Sequence, residues 1–334
     1  MKSLLDFFSF RLSCICATAT RPCNFYQNGL DLSDSKNIFF KFIAYIILNT
    51  CFIGNFMKNI VKTIYNLVPF KQEIFSILKI IWKPQEALYR HLYFKGVFTI
   101  KINQSKKFKI NHYGFWIENE LFWRGFGNSW EKESLKLWVK LCEESQVIFD
   151  IGANTGVYAL VAKTINNNAK VYSFEPEPKY FDMLRKNIIL NNFDIKSYRK
   201  AISDHNGEVI IDDYSEESKS LKVACVTIDE FVKQNDLKRI DLIKIDVETH
   251  EPEVLNGFSN YLSLFRPTLL IEILNKDIAD KIYANVRELG YLYFNIDENG
   301  KIRQTDRIEK SDYYNYLLCN PDIAIKLGLI KNGL

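Results

Sequence analysis

From Gln146 onward the chain alternates short apolar runs with segments of helical period, and that alternation sets the expected architecture. Val147–Ile151 (VIFDI), Lys170–Phe174 (KVYSF), Ile195–Ile202, Ile240–Ile245 (IDLIKI) and Thr268–Ile273 (TLLIEI) read as strands. Residues 156–165, 178–191, a segment ending near Gly257, and 276–289 read as the helices between them. Tyr291–Ile296 and a piece near Tyr316–Leu318 read as closing strands, and a small hairpin is expected around Gly207–Asp212. Strands joined by crossovers of helical length predict an α/β protein with a parallel sheet covered on both faces.

The first part of the chain has a different texture. Residues 58–82 carry apolar positions at helical spacing, broken at Pro69, which predicts two short helices with basic faces. Residues 94–102 and 106–117 alternate apolar and polar around Asn103-Gln104-Ser105, the pattern of a β-hairpin. Glu131–Leu141 returns to helical spacing behind Asn128 and Ser129, the expected caps. Residues 1–56 have no clear period, and Met57 is the expected native start. The expected organisation is an uncertain N-terminal segment over 1–56, a basic helical and hairpin region over 57–145, the main domain over 146–320 and a tail over 321–334.

Composition narrows the class. Of 334 residues, 47% are apolar and 25% charged, which excludes a wholly disordered chain. The net charge of +4 hides an asymmetry: residues 1–145 carry +9 and residues 146–334 carry −5. Most of the basic excess lies in residues 57–117, where 11 Lys and Arg face only Glu73 and Glu86. Basic amphipathic helices either pack on a neighbouring body or lie on a membrane surface; packing is the weightier reading, with peripheral membrane contact through 57–117 as the sharper one. Phe42–Ile53 is apolar apart from Asn49 and Thr50, yet its 12 residues fall short of the ~20 that span a bilayer. Asp6 and Arg11 interrupt the opening apolar run, so no cleavable signal is expected. Seven cysteines, with Cys142, Cys225 and Cys319 in apolar surroundings, suit free thiols in a reducing, cytoplasmic compartment.

In a parallel sheet the ligand site lies beyond the carboxyl ends of the strands. After the first strand stands Asp150-Ile151-Gly152-Ala153-Asn154-Thr155-Gly156, whose glycines allow a sharp turn and close backbone approach to a ligand. The spacing is neither the dinucleotide fingerprint nor a P-loop, which disfavours a pyrophosphate ligand. After the second strand comes Glu175, placed to accept hydrogen bonds from a ribose diol. After the fourth come Asp246, Glu248, Thr249, His250 and Glu251, too many acid–base groups in six positions for a simple helix cap. Glu272 interrupts the apolar fifth strand, where a carboxylate either faces the same edge or is penalised by burial.

DIGANTG, FEPEP, IKIDVETHEPEVLNG and PTLLIEI together resemble the FkbM family of S-adenosylmethionine-dependent methyltransferases, over about residues 84–320. The family commonly has Gly where this chain has Thr249. The resemblance implies a class I methyltransferase (Rossmann-like) fold: a seven-stranded, mostly parallel sheet with one antiparallel strand near its end. It implies S-adenosylmethionine over Asp150, Gly152, Asn154 and Gly156, its ribose on Glu175, and Ser203 and Asp204 beside the adenine. The implied reaction is O-methylation of a hydroxyl on a sugar, glycan or secondary metabolite. His250, the one histidine near that edge, is the candidate base, with Asp246 and Glu248 to orient it or the acceptor. Asp246 and Glu248, with Glu272, are also a conceivable but disfavoured divalent-cation site. Two other readings remain: a nucleic-acid methyltransferase using the basic region, and a scaffold that keeps the fold without turnover. No N/D-P-P-Y/F motif follows the fourth strand and the acidic edge would repel phosphates, so nucleic acid is not an expected partner.

Overall fold

The computed structural model describes residues 69–213 and 219–331, which belong to the second of the two units into which the chain divides, Pro69–Leu334. The expectations for residues 1–56, and for the first of the two basic helices, lie outside the described residues.

In chain order, the region before the sheet comprises α1 (Lys71–Ile81), α2 (Glu86–Tyr89), the antiparallel pair β1 (Gly96–Lys101) and β2 (Lys107–His112), α3 (Trp116–Trp123) and α4 (Lys132–Glu144). The hairpin is as expected, but β2 ends at His112 and the aromatic run after it turns at Gly114 into α3. Asn111 and Lys109 donate their amides to Asn187 and Asn191, fastening the hairpin to the main body. Neither Asn128 nor Ser129 caps α4. Glu298, distant in sequence, accepts from the amides of Glu133 and Ser134 instead, placing a carboxylate at the positive helix end.

The main body continues with β3 (Val147–Ile151), α5 (Val157–Ile165), β4 (Lys170–Phe174), α6 (Pro178–Leu190), β5 (Ile195–Tyr198), β6 (Ala201–Ile202), β7 (Gly207–Asp213) and β8 (Lys219–Val226). It closes with α7 (Ile228–Gln234), β9 (Leu242–Ile245), α8 (Glu251–Asn256), α9 (Ser259–Phe265), β10 (Thr268–Glu272), α10 (Lys276–Val286), β11 (Leu292–Asp297), β12 (Lys301–Thr305), β13 (Asn315–Cys319) and α11 (Pro321–Lys326). The large sheet runs β12-β11-β13-β10-β9-β3-β4-β5. From β5 to β10 all pairs are parallel, and β13 enters antiparallel between β10 and β11. This is the class I methyltransferase architecture, seven strands with one reversed, extended by β12 as an eighth strand at the edge.

The stretch read as one strand over 195–202 is two. Arg199 and Lys200 break it, and β6 pairs with β8 in a separate three-stranded sheet, order β6-β8-β7. The central strands β3 and β9 are buried at every position. Phe149, Phe174 and Phe231 lie among the buried side chains at their centre, and Cys142, Cys225 and Cys319 are buried free thiols as expected. Burial on both faces explains why these strands read as continuous apolar runs.

Candidate active site

The carboxyl ends of β3, β4, β9 and β10 open into a cavity of about 890 Å³. That is near the upper end of the ~300–1,000 Å³ usual for small-molecule sites. Its walls are built from the segments that the sequence picked out, together with α3, Trp130 and Glu131 just before α4, and β7.

Gly152 and Gly156 adopt φ of +79° and +95°, a region that costs glycine little. At Gly152 a Cβ would come within 1.8 Å of the Asp246 carbonyl oxygen. The glycine therefore lets the turn after β3 close directly onto the end of β9. Asn154 turns with φ of +49°, and its amide donates to Glu175 Oε2 at 2.8 Å. Glu175 Oε1 accepts from the amide of Glu177 at 3.0 Å. The Glu175 carboxyl is pushed up to about 7 by burial, against the pull of those two amides. Asp150 is fully buried, accepts from the Ala159 amide at 2.9 Å, and is likewise pushed up to about 7 by burial. These groups form one rigid cradle: Asp150 orders the start of α5, while Glu175 holds the turn and faces the cavity. Thr155, also in the wall, sets its hydroxyl against the buried carboxyl of Glu118.

Ser203 and Asp204 are not among the wall residues; Lys200, Ala201 and Ile202 are. Ser203 is wholly buried and its Oγ lies 3.0 Å from His250 Nε2. Asp204 is exposed, held low mainly by its hydrogen bond to His205 at 2.7 Å.

Next to the glycine turn, after β9, Asp246, Glu248 and His250 all reach the cavity. His250 caps α8, and its Nδ1 lies 3.7 Å from Glu253 Oε2, so both ring nitrogens have polar neighbours. Glu248 and Thr249 turn through φ of +52° and +82°. Glu251 holds that turn, accepting the amides of Val247 and Thr249 at 3.1 and 3.3 Å.

The sequence reading passed over Lys244. Its side chain is 2% exposed, its Nζ donates to Asp246 Oδ2 at 2.9 Å, and it lies 5.0 Å from the centre of the Tyr158 ring. Burial alone would strip its proton. Asp246, Glu131 and Glu272 outweigh burial and hold the ammonium above the usual lysine range. Glu131 accepts from Tyr158 Oη at 2.7 Å and Asn315 Nδ2 at 2.8 Å. Burial raises Glu272, with Asp246 adding to the effect, and burial also raises Glu248. The legible signal was a lysine inside IDLIKI: a cation in a strand buried on both faces needs anions around it. Among the described residues, no group of three or more His, Cys, Asp or Glu side chains is arranged to hold a metal ion.

Residues 150–293 match the profile of the methyltransferase FkbM domain. By this match the stretch is similar to an FkbM methyltransferase domain. The chain is similar to the hexuronic acid methyltransferase AglP of Haloferax volcanii, 29% identical over 43% of this chain and 62% of that protein. It is also similar to the methyltransferase sdnD of Sordaria araneosa, 28% identical over 33% of this chain and 59% of that protein. The chain thus spans about three fifths of the length of these curated relatives. Among solved structures, a methyltransferase FkbM from Methylobacillus flagellatus aligns at 16% identity with a TM-score of 0.37, over 52% of this chain and 43% of that one. The matched stretch begins at Asp150 and takes in the glycine turn, Glu175 and the Asp246–His250 edge.

Proposed function

We propose that the chain is an S-adenosylmethionine-dependent O-methyltransferase acting on a hydroxyl of a sugar or similarly hydroxylated small molecule. The observation that carries this is the joining of the glycine turn to Glu175, through the Asn154 amide, in the wall of the same cavity that the acidic edge lines. The residues present fit the cofactor: Glu175 keeps lone pairs free for a ribose diol beyond its two amide bonds. The bound cofactor would supply an electrophilic methyl group on a cationic sulfur.

The chain's own contribution is positioning and proton handling. Holding the acceptor oxygen in line with the methyl group is worth up to ~7–11 kcal/mol. Asp246, Glu248 and His250 form the proposed catalytic set, with the work divided among them. Glu248, raised above the ordinary carboxylate range by burial and open to the cavity, takes the acceptor's proton. Asp246, fixed by Lys244, orients the acceptor hydroxyl. His250, tied to Ser203, holds the loop that carries Glu248. The AglP relative supports a sugar acceptor.

The hairpin of the basic region packs on the main body, and membrane-surface contact is proposed for α1 alone. The exposed Ile77, Ile80 and Ile81 of α1 stand beside Lys79 and Lys83. Among the described residues no helix is long and apolar enough to cross a membrane.

The test is calorimetry with S-adenosylmethionine, followed by mass spectrometry of glycosides incubated with protein and cofactor. One-site binding and transfer of one methyl group to oxygen are expected. A protein that binds no cofactor is a scaffold, and the reading fails.

A further inference from the structure

The walls of the cavity are not evenly charged. At the end formed by β9, β10, β13 and the start of α4 stand Glu131, Asp246, Glu248, Glu272 and Asp312. The one ammonium among them, Lys244, is 2% exposed and committed to Asp246 and the Tyr158 face. The other lysine in the wall, Lys200, stands in the segment between β5 and β6, and among the described residues no arginine lines the cavity. The free hydrogen-bonding capacity is of the same kind. Asn315 is 6% exposed, spends its NH₂ on Glu131 and keeps Oδ1 without a partner. This end of the cavity therefore presents acceptors and negative charge, and lacks the guanidinium forks that recognise carboxylates and phosphates. Beside it, Trp116 and Trp130 stand edge to face with ring centroids 5.7 Å apart, and Trp116 is 44% exposed. Indole faces suit the C–H face of a sugar ring and attract a nearby ammonium.

We propose that the acceptor is an uncharged or amine-bearing sugar, and that the cavity selects against acceptors carrying a carboxylate or phosphate. This rests on the methyltransferase reading above and refines it, since the same cavity receives the acceptor. It sets the chain apart from its hexuronic acid relative in substrate charge. Lys244 offsets Asp246, and burial with Asp246 favours the protonated form of Glu272; the remaining carboxylates, Glu131, Glu248 and Asp312, still outnumber the one cationic sulfur. Donor hydroxyls and an ammonium find partners there; a uronate finds repulsion.

The experiment uses the full chain saturated with S-adenosylhomocysteine and three probes: methyl glucoside, methyl 2-amino-2-deoxyglucoside and methyl glucuronide. Binding is measured by calorimetry or saturation-transfer NMR at low and high salt. The amine should bind at least tenfold more tightly than the uronide, with the neutral glucoside between them, and the spread should narrow with salt. Asp312→Lys, a change at an exposed wall position, should reduce the amine-to-uronide ratio at least threefold without altering the melting temperature. A uronide that binds as well as the neutral glucoside, or a panel in which no sugar binds, overturns the proposal. The series is also run without S-adenosylhomocysteine, so the charge ranking is read in either state. Failure of S-adenosylhomocysteine itself to bind counts against the methyltransferase reading, independently of that ranking.

Discussion

Ser203 Oγ lies 3.0 Å from Nε2 of His250, tying the residue after β6 to the first turn of α8. Ser203 is fully buried and His250 is a third exposed, so the bond anchors a loop at the cavity wall to the protein interior. A histidine that accepts an acceptor's proton through Nε2 would first have to give up this partner. Glu248, on a left-handed turn, has no such tie.

Exchange of these residues should therefore separate proton transfer from loop anchoring. Glu248→Gln is expected to lower turnover by roughly 10²–10⁴, the range for losing a general base, with cofactor affinity changed only a few-fold. His250→Asn and Ser203→Ala should resemble each other and cost less than about tenfold. Initial rates under cofactor saturation check this, and the opposite ranking would return the proton to His250.

Glu175 gives the cofactor site a pH dependence of definite sign. Its carboxyl titrates at about 7 in the free protein because it is buried, whereas ribose hydroxyls donate to the ionised form. Cofactor affinity should be constant above about pH 7.5 and fall below it, by up to about tenfold per pH unit. Glu175→Gln should weaken binding more than tenfold at pH 8 and flatten the profile. Titrations at four pH values suffice; an affinity that improves on acidification refutes the assignment.

The turn at Glu248 and Thr249 stores backbone strain in a β-branched residue at φ +82°. Such conformations cost about 1–3 kcal/mol, and glycine adopts them freely at about 0.5–1 kcal/mol of extra chain entropy. Thr249→Gly should therefore stabilise the fold by about 1 kcal/mol, seen as a Tm higher by about 2–4 °C. Thr249→Ala keeps the Cβ and should not reproduce the gain. Calorimetric melting of both variants decides it, and a Tm that stays level in Thr249→Gly would show the turn to be unstrained.

How far the sequence carried the structure depends on burial. The limits of β3 and β4 coincide with their apolar runs because both faces of each strand are covered. β12 (KIRQT) escaped because an exposed edge strand needs no apolar alternation. α3 was hidden by its own composition: Trp116, Ile117, Leu121, Phe122 and Trp123 look like strand residues, and only packing distinguishes them. The FkbM motifs were legible because each sits next to a strand end in sequence. The pairing of Glu298 with α4, of Asn315 with Glu131, and of Ser203 with His250 joins residues far apart in the chain, and no local pattern encodes it. Lys244 was the avoidable omission, since one charge in a wholly apolar strand announces a buried network.

That network supplies the last prediction. Among the described residues, Lys244 is the one ammonium facing Asp246, Glu131 and Glu272. Lys244→Met keeps the length and packing of the side chain but leaves the carboxylates to repel one another. Removing one partner of a buried pair costs about 3–5 kcal/mol, and because Asp246 is a third exposed the lower end, about 3 kcal/mol, is expected. The deficit should depend on pH with a fixed sign. Without the ammonium the Glu272 carboxyl, already raised by burial and by Asp246, rises further in the folded state, so the penalty is greatest at high pH. It should shrink as the pH falls and Glu272 takes up its proton. Lys244→Met combined with Asp246→Asn removes both charges and should recover about half the lost stability, while turnover stays low because the acceptor has lost its orienting carboxylate. Urea unfolding at pH 5 and pH 8 on the two single variants and the double variant completes the cycle. Additive losses, or a Lys244→Met protein as stable as the parent at pH 8, would show that the lysine is merely tolerated and that the acidic wall stands without it.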